Sequence, residues 1–194
     1  MKVNREQAAQ NRERVLDTAA QLYRENGFHG IGVADLMKSA GLTHGGFYGQ
    51  FSSKEELMEQ ACARAFARSV DYWQATIDAE DQGPHQAIAA IAKAYLSATH
   101  RDAPGKGCAL AALGAEAARQ GPKVRRTFTA GLQALASTLA PLLPGKSKAA
   151  RHEEALATYA SFVGALVLSR AVDDDKLSAS ILRAVATRTI AKVS

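Results

Sequence analysis

Tryptophan occurs once in this 194-residue sequence, cysteine twice and proline five times, and aromatic residues make up only 6% of it. Two cysteines, Cys62 and Cys108, are too few for a disulfide framework or a cysteine zinc site, which points to a reducing compartment, the cytoplasm. Scarce proline favours long, closely packed helices. No apolar run approaches the ~18 residues that a membrane span requires. Met1 to Arg14 is polar throughout, so no signal peptide is expected. The five histidines (His29, His44, His85, His100 and His152) are scattered, with no pair at the helical spacing of a metal site. No glycine-rich phosphate loop follows a strand. Asp173, Asp174 and Asp175 read as a solvated turn and cap, lacking the further ligands of a cation site. These absences leave no catalytic constellation, and the expectation is a chain that is not an enzyme and needs neither cofactor nor metal.

What is present is alanine-rich apolar sequence, 47% hydrophobic overall, with a net charge of +5 and a pI near 9.3. The charge suits a nucleic-acid partner but is mild enough to be shared by many unrelated proteins. Apolar residues recur at threes and fours almost everywhere, and nothing reads as a strand. The pattern predicts an all-α fold of about nine helices. The first ends at 26, and the others cover 33–40, 43–50, 53–80, 85–101, 106–120, 122–143, 149–172 and 176–193. Ser53 and Glu56 make a capping box for the fourth, whose ~28 residues would span ~42 Å. That rod joins two expected domains, a head at 1–52 and a larger body at 53–194.

Residues 27–57, GFHGIGVADLMKSAGLTHGGFYGQFSSKEEL, hold the informative spacing. Gly41 breaks the helix at 33–40, Leu42 follows as a buried plug, and Thr43 can cap the next helix through its hydroxyl. Val33, Leu36, Ala40, Leu42 and Phe47 would pack the helices at 33–40 and 43–50 steeply, as a helix-turn-helix. The second of these has almost no large apolar outer face. His44, Gly45, Tyr48 and Gly49 are therefore free to meet an outside partner, which in a helix-turn-helix is the DNA major groove.

The motifs Tyr23-x-x-x-Gly27-Phe28, Val33-x-Asp35-Leu36, Ala40-Gly41-Leu42-Thr43, Gly45-Gly46-Phe47-Tyr48, Phe51 and Lys54-Glu55-x-Leu57 together resemble the TetR family of bacterial transcriptional regulators. The resemblance covers about residues 12–57; beyond ~60 it is architectural. Met37, Gly32 and the Gly49-Gln50 pair depart from the family pattern and blur which bases are read. The resemblance implies phosphate contacts from Tyr48 and Lys54, with Thr43 able to join them. His44 is the first candidate for a base edge, and Gln50 the second. Gly45 and Gly46 each cost roughly 0.8–1 kcal/mol of helix propensity, and would let a bare backbone sit deep in a groove. Lys2 and Arg5 can follow phosphate or enter the minor groove as a basic arm. For Gln50, Lys2 and Arg5, a simple solvated side chain is an equal alternative.

In the body, the resemblance places Trp73, Tyr95, Phe128, Leu132, Leu113 and Phe66 on helices around a pocket for a small organic effector. Ordinary core is the alternative for each. Cys108, in Gly105-Lys106-Gly107-Cys108, sits where helix-end amides and a lysine stabilise a thiolate, and a Gly-Cys at this point resembles a TetR branch that includes sensors of electrophiles or oxidants; an inert buried thiol is the alternative. Leu156, Tyr159, Ala160, Val163, Leu166 and Val167, with Leu177, Ile181, Val185, Thr189 and Ile190, form wide apolar faces, which the resemblance implies make a four-helix homodimer interface; a face buried within the monomer is the alternative. The expected function is a DNA-binding regulator, a repressor released from a palindromic operator by a small molecule or by modification of Cys108. A helical protein-binding adaptor and a helical enzyme are the rivals.

Overall fold

The computed structural model describes residues 5–80 and 83–193. Lys2 lies outside the described residues. Among the described residues nine α-helices follow one another: α1 Arg5–Asn26, α2 Val33–Ser39, α3 Lys54–Ala79, α4 Pro84–Tyr95, α5 Ala98–Asp102, α6 Ala109–Ala117, α7 Pro122–Leu139, α8 Lys148–Ala171 and α9 Asp175–Val193. Three short 3₁₀ turns stand between them, at His44–Gly46, Pro104–Lys106 and Ala140–Leu142. No described residue is in a strand, and no helix is long and apolar enough to cross a membrane.

Besides the shorter α6 and α7, the partition differs from the expectation in two places. Residues 85–101 do not form one helix. Leu96 leaves helical geometry, and the Ser97 hydroxyl caps α5 by accepting from the His100 N–H at 3.1 Å. Residues 43–50 do not form a regular α-helix either; a 3₁₀ turn at His44–Gly46 is followed by hydrogen-bonded turns through Gln50. Gly45, Gly46 and Gly49 explain this, since three glycines in eight residues withdraw about 2–3 kcal/mol of helix propensity.

The core is continuous from head to body. Tyr23 meets Phe28 edge-on at 5.6 Å, Phe28 meets Phe128 at 6.5 Å, and Phe128 meets Phe66 at 5.2 Å. Phe66 of α3 packs against α7 at Gly131, where an added Cβ would sit 2.3 Å from the ring's Cγ. Arg64 and Arg68 of α3 bind Asp17 of α1 at 2.6 Å, and Arg64 also pairs with Glu13. Cys62 is core, 2% exposed, and burial pushes its thiol up to about 12.

Candidate nucleic-acid interface and effector cavity

The head is shaped by two backbone devices. After α2, Gly41 adopts φ +72°. Its N–H donates to the Lys38 carbonyl at 2.9 Å, and the Leu42 N–H donates to the Met37 carbonyl at 2.9 Å. This pair of bonds is a Schellman cap, which turns the chain sharply and spares the last carbonyls of α2. Leu42 is half-buried against the core, less enclosed than a plug. The second device is aromatic. Phe47 and Phe51 stack at 5.6 Å, each 2% exposed, and pin the segment inward. Their burial leaves the opposite edge free: Thr43, His44, Gly45 and Tyr48 are exposed, Tyr48 by 71%, with Gly46 half-buried. The His44 and Tyr48 rings lie side by side at 5.8 Å.

Other candidates are placed differently. The Thr43 side chain makes no cap hydrogen bond, because it precedes a 3₁₀ turn rather than an α-helix. Gln50 is half-buried, and its Oε1 is enclosed without a hydrogen-bond partner among the described residues. Lys54 is half-buried at the start of α3, and its Nζ donates to the Ile31 carbonyl at 3.3 Å. Arg5 is exposed at the first turn of α1.

Arg12 of α1 was not singled out in the sequence. It donates to the Gln50 carbonyl, lies 4.2 Å over the Phe51 ring, and donates to Glu56 at 3.2 Å and Gln60 at 2.8 Å. One guanidinium therefore joins α1, the end of the turn segment and α3. The capping box is also modified. Ser53 Oγ accepts from the Glu56 N–H at 3.1 Å, while the Glu56 carboxylate reaches back to the N–H and hydroxyl of Ser52 at 2.7 and 2.6 Å. The Ser52 bonds, with Arg12 assisting, hold the Glu56 carboxyl down at about 2. A depressed carboxyl pKa stabilises the fold above its unfolded value near 4.5, and that stability is lost as pH falls towards 2. Between those limits, Glu56→Gln is expected to flatten the acid dependence of head stability, read by hydrogen exchange at Phe51 and Leu57; an unchanged slope would contradict the assignment.

A cavity of about 610 Å³ opens between α1, α3, α4, α8 and the 103–108 segment. Trp73, Tyr95, Tyr159 and Cys108 line it together, with Arg24, Arg68, His100 and Lys106. The rings interlock edge-on, Trp73 to Tyr159 at 5.5 Å and Trp73 to Tyr95 at 6.2 Å. Cys108 is buried, with its Sγ 3.1 Å from Tyr159 Oη. Its N–H donates to His100 Nε2 at 3.0 Å, and His100 Nδ1 sits 2.7 Å from the Tyr95 carbonyl. Only a neutral imidazole with its proton on Nδ1 serves both contacts. Burial lowers the His100 pKa, which favours that neutral form. Phe128 and Leu132 do not line this cavity. Phe128 is core, and both residues border a separate depression of about 500 Å³ between α6 and α7. Leu113 and Phe66 are likewise core and lie outside the cavity lining.

The cavity floor is tied to the head. Arg24, near the end of α1, donates from Nε to the Gly105 carbonyl at 3.0 Å and again from Nη2. Glu116 of α6 accepts from the Phe28 N–H at 2.8 Å. Gly27, at φ +77°, allows this approach, since a Cβ there would meet Glu116 Oε1 at 2.5 Å.

Residues 15–61 match the family model of bacterial regulatory proteins, tetR family. Over these residues the chain is similar to TetR-family transcriptional regulators. The match covers the Schellman turn, the outward segment and the start of α3, the same features that build the head. Comparison with curated proteins finds no match. Among solved structures, Escherichia coli NemR in its reduced form is similar over 93% of this chain and 95% of its own, with 22% identity and a TM-score of 0.79. A TetR-family regulator from Cytophaga hutchinsonii aligns over 98% and 97%, with 18% identity and a TM-score of 0.80. One from Chloroflexus aurantiacus aligns over 96% and 95%, with 23% identity and a TM-score of 0.78. At these identities the likeness is one of fold, and it extends through the body.

At the far end of the chain, α8 and α9 leave Leu156, Val167, Leu168 and Leu177 exposed by 36–56%. Tyr159 and Leu166, expected on the same face, are instead 1% and 0% exposed in the monomer core. Ala160 is exposed and an added Cβ at Gly164 would meet nothing within 4 Å, so this side of α8 is free of bulk. Val163, Ile181, Val185 and Ile190 are half-buried, and Thr189 is buried. Among the described residues no three His, Cys, Asp or Glu side chains gather as a metal site. Asp174 Oδ1 accepts from the N–H groups of Lys176 and Leu177, which makes the 173–175 run a cap for α9.

Proposed function

We propose that this regulator is a repressor that binds a palindromic operator as a homodimer. Residues 1–52 serve as the DNA head and 53–194 as the effector and dimerisation body. The observation that carries the reading is the outward edge of 43–48, where Thr43, His44, Gly45 and Tyr48 stand free while Phe47 and Phe51 anchor the backbone. Gly45 has open space where a side chain would be, so DNA can approach the main chain closely. The Leu156–Val167–Leu168 strip with Leu177 supplies an apolar face for the second copy. Two heads then address half-sites ~34–36 Å apart.

An effector in the cavity lies against the tie from Arg24 to Gly105. It releases DNA only to the extent that it prefers the arrangement with separated or re-spaced heads. Modification of Cys108 is the second route. Its sulfur borders the cavity beside Tyr159 Oη, so an adduct there displaces the ring contacts around it. Mass spectrometry after quinone treatment is expected to find Cys108 modified and Cys62 spared, and Cys108→Ser is expected to keep its operator under that treatment. A serine variant that still releases DNA would end the cysteine route.

Selection of bound fragments from random DNA tests the reading. A palindrome is expected, with affinity falling steeply as salt rises through counterion release. A partner bound through 27–57 with flat salt dependence would favour a protein-binding adaptor instead.

A further inference from the structure

The cavity has more cations than it can use. Arg24, Arg68 and Lys106 border it, and among the described residues the single carboxylate in its lining is Asp17. Asp17 Oδ1 is already engaged by Arg64 and Arg68. Arg24 forms no ion pair among the described residues, and it is half-buried. Its Nε–H and one Nη2–H are spent on the Gly105 carbonyl. A guanidinium has five N–H groups in a planar fork, so its Nη1–Nη2 edge retains the geometry that a carboxylate takes with two parallel hydrogen bonds. A second, independent feature lies in the same cavity. Tyr95 is 5% exposed, and its buried hydroxyl, beside the Cys108 thiol, has no partner in hydrogen-bond geometry among the described residues. A buried hydroxyl left unpaired costs free energy that a ligand oxygen can recover. Between these donors the walls are the faces and edges of Trp73, Tyr72 and Tyr159.

We propose that the cavity takes a flat, unsaturated organic carboxylate, its anionic end on the open edge of Arg24 and its body among Trp73, Tyr95 and Tyr159. The proposal rests on the effector-responsive reading above and names the chemistry of that effector. Burial lowers the Arg24 pKa, with nearby Glu25 only partly opposing it, and a carboxylate bound directly on the guanidinium offsets the cost of burying that charge. The same guanidinium holds Gly105, so the bound anion sits on the link between the cavity floor and α1.

Isothermal calorimetry on the full chain with 2-naphthoate and its uncharged isostere 2-naphthamide tests this. Neither probe is an electrophile, so Cys108 chemistry is not involved. The acid is expected to bind at least 10-fold more tightly than the amide. Arg24→Gln is expected to erase that preference, and Arg24→Lys to keep part of it, because the charge survives and the fork does not. Circular dichroism melting checks that the variants fold. Tyr95→Phe provides a second arm that does not touch a charge, and it is expected to weaken the acid several-fold without lowering the melting temperature. Equal binding of acid and amide, binding of neither, or a preference that survives Arg24→Gln would overturn the proposal. An operator-release assay separates the two readings. Charge-selective binding without DNA release keeps the anion site and removes the effector response. Release by the amide as readily as by the acid keeps the response and removes the anion site.

Discussion

Tyr48→Ala should reduce operator affinity at least about 100-fold while leaving the melting temperature unchanged. The phenol is 71% exposed and contributes to packing only through edge contacts with Phe47 and His44 at 5.3 and 5.8 Å. Substitutions at such exposed positions usually change stability by less than about 0.5 kcal/mol. A hydrogen bond from a hydroxyl to a charged phosphate is worth about 1.5–3 kcal/mol. A symmetric dimer loses it twice, so about 3–6 kcal/mol disappears, and each 1.4 kcal/mol is tenfold. Fluorescence anisotropy with a labelled operator reads the first quantity and calorimetric melting the second. Unchanged affinity would mean that the outward edge of 43–48 is not what DNA meets. A fall in both would mean that Tyr48 supports the head rather than touching DNA.

Gly131→Leu should lower stability by about 3 kcal/mol, equivalent to a melting shift of about 6–12 °C for a chain of this size. Two effects oppose each other here. Replacing a mid-helix glycine by leucine gains about 0.8 kcal/mol of helix propensity. Against that, the Phe66 ring lies on the Gly131 backbone, and even a Cβ would come within 2.5 Å of its ring atoms near the root of the side chain. Phe66 cannot swing clear easily, because it is 4% exposed and braced edge-on by Phe128 at 5.2 Å with an interplanar angle of 87°. Overpacking therefore wins, and Gly131→Ala should also destabilise despite its better propensity. A gain in melting temperature for the alanine variant would show that α3 and α7 are not held ring-on-backbone.

The head was legible because its signals are local. Gly41 must take a positive φ, Ser53 must cap α3, and Phe47 must pack against the preceding helix; each follows from residue type and spacing. The form of the 43–50 segment was not legible from the motif, although its glycines carried the correction, since propensity disfavours the regular helix that the pattern suggested. The cavity was partly legible. Trp73, Tyr95 and Cys108 come together, but Phe128 and Leu132 do not, because helical periodicity says which face is apolar and not which neighbour that face meets. Tyr159 shows the same limit, since its stripe on α8 turns into the monomer core rather than towards a second copy. Arg12 and Arg24 escaped notice for a different reason. Each is one of several arginines on a polar helix, and its role depends on a carbonyl far along the chain, Gln50 for one and Gly105 for the other.

The account depends most on the outward edge of 43–48 entering DNA twice per particle. Hydroxyl-radical footprinting of the selected operator tests this directly. Two protected patches are expected, related by symmetry, on one face of the duplex and ~10–10.5 base pairs or a multiple of that apart. A single patch, or two patches on opposite faces, would contradict it.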